Sequence, residues 1–328
     1  MPPAPLPQRT GRAHAIAVLQ GLLVTFLWST SWVLIKIGLD DLHLQPLSFA
    51  GLRYAVAAAI LLPFGVRALR RSDARVTPRL AVRLAVYGLL FVAVAQGAQF
   101  AALGLLPATA VNLVLAATPA AVVAIALLRR EETPSTLQLG GVALLVLGAV
   151  LYFGPFKVGP DQALGLGAAL LCLLAAAASA HLGRGLARDA IGRLGGAIGL
   201  TSVSMAIGAV VLLSLGVAIE GWPSLNLEGW LIVAWLAAAN TAFAFTIWNH
   251  TLRTLTAVES SVVNNTMTIQ IAILAVLFLG ERLGVAQVAG LVFASAGALL
   301  VQIAPILARR VALRLGSSVA GEAGRPRP

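Results

Sequence analysis

EETPSTLQLGGVALLVLGAV (residues 131–150) and GERLGVAQVAGLVFASAGAL (280–299) share one pattern. At a constant offset of 149, Glu132 matches Glu281, Gln138 matches Gln287, Gly141 matches Gly290 and Gly148 matches Gly297. Upstream, TAVN (109–112) resembles TAVE (256–259) with a two-residue shift. The chain therefore carries an internal duplication. A duplicated chain takes its architecture from the number of elements in each copy.

Those elements are membrane helices. The 328 residues are 59% hydrophobic and 11% charged, against about 25% charged in soluble domains. The apolar runs are helix-length and rich in Ala, Leu, Gly and Val, which predicts an all-α integral membrane protein and not a barrel. Windows of about 20 apolar residues give ten spans. They lie at 15–37, 46–66, 84–106, 108–128 and 136–154, then at 163–183, 194–218, 229–250, 257–279 and 283–306. Each copy holds five spans, and an odd number forces the second copy into the opposite orientation. Two inverted repeats meeting at the bilayer midplane are a common secondary-transporter plan. Four segments are expected: a disordered cytoplasmic amino terminus (1–14), a first five-helix repeat (15–156), a second, inverted repeat (157–306) and a basic cytoplasmic tail (307–328), disordered from Gly316.

Charge sets the orientation. Nineteen of the 23 Lys and Arg fall in the termini and the loops that share their side; the opposite loops hold only Lys157 and Arg282, and Lys36 and Arg53 lie within spans. This bias places both termini of a multi-pass cell-membrane protein in the cytoplasm. The loop before Gln138 carries Arg129 and Arg130 and is inside, whereas its counterpart lacks the pair and is outside. The net charge of +11 is thus a topology signal, and no basic stretch carries the aromatic interleaving of a nucleic-acid surface. The first apolar run exceeds a signal-peptide core of ~7–15 residues and should remain as a helix. A single cysteine, Cys172, excludes an intramolecular disulfide.

With repeats and spans in place, the chain resembles the drug/metabolite transporter superfamily, specifically EamA-domain proteins. The resemblance rests on LWSTSWVLIKIGL (27–39), PLSFAGLRYAVAAAILLPF (46–64), TAVNLVLAATPAAVVAIALLRREE (109–132) and SSVVNNTMTIQIAILAVLFLGERLGVAQVAG (260–290). It covers about residues 15 to 306 and implies a ten-helix transporter, commonly an exporter of amino acids, other metabolites or drugs. Family members usually carry a proline 13 residues before the glutamate of the fourth and ninth helices. Pro119 fits, but Thr268 replaces it in the second copy, so the two halves are expected to bend differently.

Polar residues inside spans are the candidate site. Trp28, Trp32 and Lys36 recur at i, i+4, i+8 and share a helix face. With Ser31 they are expected to line the outer half of a central cavity. On the ninth span, Ser261, Asn264, Asn265 and Thr268 form one stripe, and Thr266 and Gln270 a second. Such groups also join helices, at about 0.6 kcal/mol each, but six at mid-depth exceed what joining requires, and the stripe reads as cavity lining. Gln96 and Gln99 on the third span, and Asn240 and Thr241 on the eighth, lie at similar depth. Arg53 would cost roughly 2.5–3.5 kcal/mol at a helix centre, so it is expected to face the bundle or a wet cavity, and the family resemblance also places an arginine here. Lys36 admits two readings, snorkelling to the headgroups and lining the cavity. The glycine-rich fifth and tenth spans read as peripheral packing helices.

Glu259 stands closest to a span interior among the carboxylates. Thr256-Ala-Val-Glu259 has capping-box spacing, and Glu259 reads as that cap and not as a proton carrier. Trp rings, neutral amides and hydroxyls, with Lys36 and Arg53 favouring an anionic group, suit an amphipathic metabolite such as an amino acid. The expected function is secondary transport, as an exporter working by alternating access. The expected partners are a small-molecule substrate and the lipid bilayer; no cofactor, metal or catalytic residue is expected. A membrane-embedded enzyme is disfavoured because His14, His43, His181 and His250 sit near span ends and no acidic pair lies at depth. A non-transporting signalling or scaffold protein leaves the polar inverted repeat unexplained.

Overall fold

In the computed structural model, residues 11–72, 77–130, 134–154 and 159–323 are described, with backbone alone at 188–193 and 308–323. Ten helices are long and apolar enough to cross a membrane: α1 (Gly11–Asp40), α2 (Pro46–Arg70), α3 (Pro78–Leu105), α4 (Ala108–Leu128), α5 (Thr136–Phe153), α6 (Pro160–Ala187), α7 (Gly196–Glu220), α8 (Leu227–Thr251), α9 (Ala257–Phe278) and α10 (Val285–Leu307). No strand occurs among the described residues. The chain is an all-α membrane protein of two inverted five-helix repeats. We call the end of the bundle where α1 begins basal and the other apical. Glu259, at the start of α9, lies 3.3 Å from His14 and so marks the same basal end.

Helix limits follow local chemistry more closely than apolar windows do. α3 starts six residues ahead of its apolar window because the Thr77 hydroxyl accepts from Leu80 N at 3.3 Å and Pro78 occupies the first turn. The helix of α10 continues beyond Leu307, with backbone described to Ala323. The Ala, Leu and Arg of 306–315 are strong helix formers and extend the span into that stretch. Glu132 lies outside the described residues.

The repeats meet along α5 and α10. A Cβ added to Gly141 would lie 2.8 Å from the Gly297 carbonyl oxygen, and one added to Gly148 would lie 2.6 Å from that of Gly290. Exchanging the repeats turns the first contact into the second, so the pseudo-two-fold axis passes between these two helices. With no side chain at either crossing the backbones touch, as small residues permit in lipid. The same exchange relates α1, which packs on α8 and α9, to α6, which packs on α3 and α4. Large aliphatic side chains such as Leu147, Leu174, Leu231 and Leu277 are exposed around the outside. On a protein in water that much exposed apolar surface would drive association; here it is the face toward lipid chains.

Two departures from regular helix bear on function. α3 and α8 each contain a six-residue π-helical segment, Leu89–Val94 and Ala238–Phe243. Their starts are separated by the same 149 residues as the paired glycines. Such segments hold one extra residue in a turn and are frequent at functional positions. The second departure breaks the symmetry. α4 is interrupted at Ala117 between Ala108–Ala116 and Thr118–Leu128, with Pro119 opening the second half. α9 runs unbroken, because Thr268 at the equivalent place keeps the N–H that proline lacks.

Candidate substrate cavity

A cavity of about 810 Å³ lies between the repeats. Trp32 of α1 and Phe91 of α3 form part of its wall. Asn112, Thr118 and Pro119 contribute from α4, and Asn264, Asn265, Met267 and Thr268 from α9. Gln138, Arg184, Gln302 and Pro305, all toward the basal ends of their helices, also line it. The cavity therefore reaches from the break in α4 toward the basal face. Its polar contacts converge on that break: Asn112 Nδ2 donates to the carbonyl oxygen of Thr268 at 2.9 Å, linking α4 to α9. The Thr118 hydroxyl donates to Leu115 O at 2.6 Å and so occupies a carbonyl beside the interruption. The lining mixes rings, neutral amides and hydroxyls, with one guanidinium, that of Arg184, toward the basal side.

On the apical side, hydrogen bonds tie the two repeats together. The Glu281 carboxylate, in the α9–α10 loop, accepts from Ala108 N at 2.5 Å and Thr109 N at 3.2 Å, and from the Thr109 hydroxyl at 2.6 Å. Tyr152 reaches the same hydroxyl at 2.6 Å. At the next helix start, the Glu220 carboxylate accepts from Leu47 N at 3.0 Å and Ser48 N at 2.7 Å. In each case a second-repeat carboxylate satisfies the free amides that open a first-repeat helix, where the helix dipole also favours negative charge.

The profile of the EamA-like transporter family matches residues 15–154 and 163–303, one match to each repeat. The chain belongs to the EamA-like transporter family. No curated protein matches it. A solved structure described only as "Crystal structure of protein" superposes with a TM-score of 0.61 at 20% identity, covering 90% of this chain and 99% of that one. At that identity the likeness is one of fold. Family and helices together make this a multi-pass membrane transporter.

Within this EamA transporter, four of the residues singled out from the sequence line the cavity: Trp32, Asn264, Asn265 and Thr268. Asn265 also donates to Ser295 O of α10 at 3.0 Å. The others sit elsewhere. Trp28 packs in a ring cluster with Phe245 and Trp248 of α8, at centroid distances of 5.5 and 5.4 Å. The Ser31 hydroxyl donates back to Trp28 O at 2.6 Å. Lys36 pairs with Asp40 at 3.0 Å on the rim of an apical recess that Glu281 also lines. Asn240, fully buried, donates to Leu27 O and to the Thr30 hydroxyl, joining α8 to α1. Thr241 donates to Leu236 O at 2.8 Å, the five-residue reach of the π segment. It accepts from Arg53 Nε at 3.2 Å. Arg53 is 4% exposed and lies against the rings of Tyr54 and Phe100 at 5.2 and 5.9 Å. Gln99 is buried and Gln96 half-buried on α3. The second stripe of α9 is spent on α1, where Gln270 accepts from Ser29 at 3.0 Å and donates to Thr25 at 3.3 Å.

Asn112, Thr118, Gln138, Arg184 and Gln302 complete the lining and were not singled out. Asn112 carried a usable signal, a lone amide in an apolar helix on the same face as Pro119, seven residues on. Gln138 and Arg184 lie at span ends, where a polar residue needs no functional reason.

Proposed function

We propose that this EamA transporter is a secondary carrier that exports small metabolites of the amino-acid or amphipathic class, performs no chemical step, and works by alternating access. One observation carries the reading. A cavity of about 810 Å³ between the repeats is lined toward the basal face, and Glu281 and Glu220 tie the repeats together at the apical face. That combination fits one end state of a carrier whose repeats rock about a central site. Asn264, Asn265, Thr268 and Asn112 would read the neutral hydrogen-bonding groups of the solute, and Trp32 its apolar face. Arg53 and Lys36 stand apical to this set. In the opposite end state they would meet the solute and favour an anionic group. The basal end is assigned to the cytoplasm, from the arginines gathered there.

The test is a flux screen in proteoliposomes against pooled metabolites, with empty liposomes as control. Saturable uptake or counterflow of a metabolite supports the reading. Absence of flux across amino acids, their acyl derivatives and amphipathic amines overturns it.

A further inference from the structure

Where α9 and α10 approach each other they touch at mid-depth and splay above. α10 is held to α5 by the glycine crossings, and α9 is held to α1 through Gln270, Thr25 and Ser29. The Asn265–Ser295 hydrogen bond bridges them at the lower end of the opening. Above it lies a crevice of about 580 Å³ walled by aliphatic side chains such as Ile269, Ile273, Val288 and Val292. Ile269, Ile273 and Val292 are exposed, so the crevice opens on the lipid-facing surface. Its polar lining is confined to Asn265, Thr268 and Ser295, and Asn265 and Thr268 also line the central cavity.

We infer that the crevice takes the apolar tail of the carried solute, while the polar head sits in the central cavity at Asn264, Asn265 and Thr268. The inference rests on the reading of that cavity as the substrate site. Its ligand class is an amphiphile with a small hydrogen-bonding head and one alkyl or aryl tail. The two compartments share their polar edge, and a head-and-tail molecule is the chemistry that satisfies both sides of it. A fully polar solute would leave an apolar crevice against its binding groups.

The experiment uses the full chain in nanodiscs and a homologous series of N-acylglycinamides, from acetyl to decanoyl, one member carrying a diazirine at the tail end. Affinity should rise at least tenfold along the series, and the photoprobe should label the 265–299 segment. Val292→Trp, which fills the crevice, should abolish the chain-length dependence while leaving the acetyl compound's affinity unchanged. Asn265→Ala should weaken every member. Equal affinity along the series, or tail labelling away from α9 and α10, overturns the inference and assigns the crevice to bilayer lipid, while leaving the cavity reading intact. If no member binds, both readings fall. The photoprobe's labelling site on the unmodified protein decides the matter even where Val292→Trp does not fold, since chain length alone also raises partitioning into the bilayer.

Discussion

Asn264 and Asn265 are adjacent amides with different obligations. Asn265 donates to α10, whereas Asn264 lines the cavity. Asn264→Ala should leave the apo melting temperature within ~2 °C, because no hydrogen bond to another helix among the described residues is lost. It should also cut substrate-induced stabilisation. Asn265→Ala should lower the apo value as well, because it removes an interhelical bond worth ~0.6–1.7 kcal/mol in lipid. A scan of both variants with and without substrate separates the roles; identical apo shifts would assign Asn264 to packing. Arg53 makes the opposite case. Its charge is buried with one hydroxyl and two rings, and the two ion pairs among the described residues do not include it. Replacing a buried charge by an apolar side chain of similar length is often neutral or stabilising. Arg53→Met should therefore hold or raise the melting temperature while weakening acidic substrates more than neutral ones. A fall of many degrees would make the guanidinium a structural tie between α2 and α8. Residue roles were the least legible level of the sequence. Asn240 and Asn264 are the same residue type at comparable depth, yet one is consumed by α1 and the other lines the cavity. Helical period fixes which face a residue occupies, not what covers that face. For the same reason Trp28 and Trp32, one turn apart, part company between a ring cluster and the cavity.

At the scale of helices, the Glu281 cap holds the start of α4 from across the repeat boundary. Loss of such a cap costs about 1 kcal/mol, enough to change a two-state population about fivefold. In a Cys172→Ala background, Cys introduced at Ala116 reports on the cavity wall. Glu281→Ala should speed its labelling by an impermeant thiol reagent applied from the apical side. Glu220→Ala, which frees the start of α2 in the same apical tie, should speed it too. Equal rates in all three proteins would remove Glu281 from the apical seal. The contrast between α4 and α9 was readable, because Pro119 lacks an N–H and Thr268 has one. The π segments were not. LLFVAV and AANTAF share no composition that marks a widened turn. The neighbourhood offers a cause at the first: Gly88, just before it, packs against the backbone of Ser204 on α7. That is a long-range contact with no local signature. Their common offset of 149 residues emerged only from the structure.

The whole molecule was the most legible level, because lipid is a uniform solvent. Every helix crossing it must be apolar for about 20 residues, and five crossings per copy invert the second copy whatever the side chains. The orientation in the cell is argued from arginine alone and can be measured directly. Single cysteines at Ser72, basal, and Ser224, apical, in a Cys172→Ala background should react from opposite faces of intact cells, Ser224→Cys from outside. Outside labelling of Ser72→Cys alone would reverse the bundle.

The interruption in α4 also has a kinetic consequence. On the proposed alternating-access reading, two interchangeable repeats would make the two end states equal in energy; a hinge in one copy and a continuous helix in the other would make them unequal. In a passive carrier, microscopic reversibility then ties the sides together: Vmax/KM for efflux equals Vmax/KM for influx. The face with the lower half-saturation constant must also show the lower maximal rate. No Asp or Glu falls near the middle of a span to couple a proton, so an imposed pH gradient should leave the equality standing. Zero-trans measurements from both sides of oriented vesicles would show unequal KM values with equal Vmax/KM ratios. Restoring the helix by Pro119→Ala should bring the two KM values closer together without disturbing that equality.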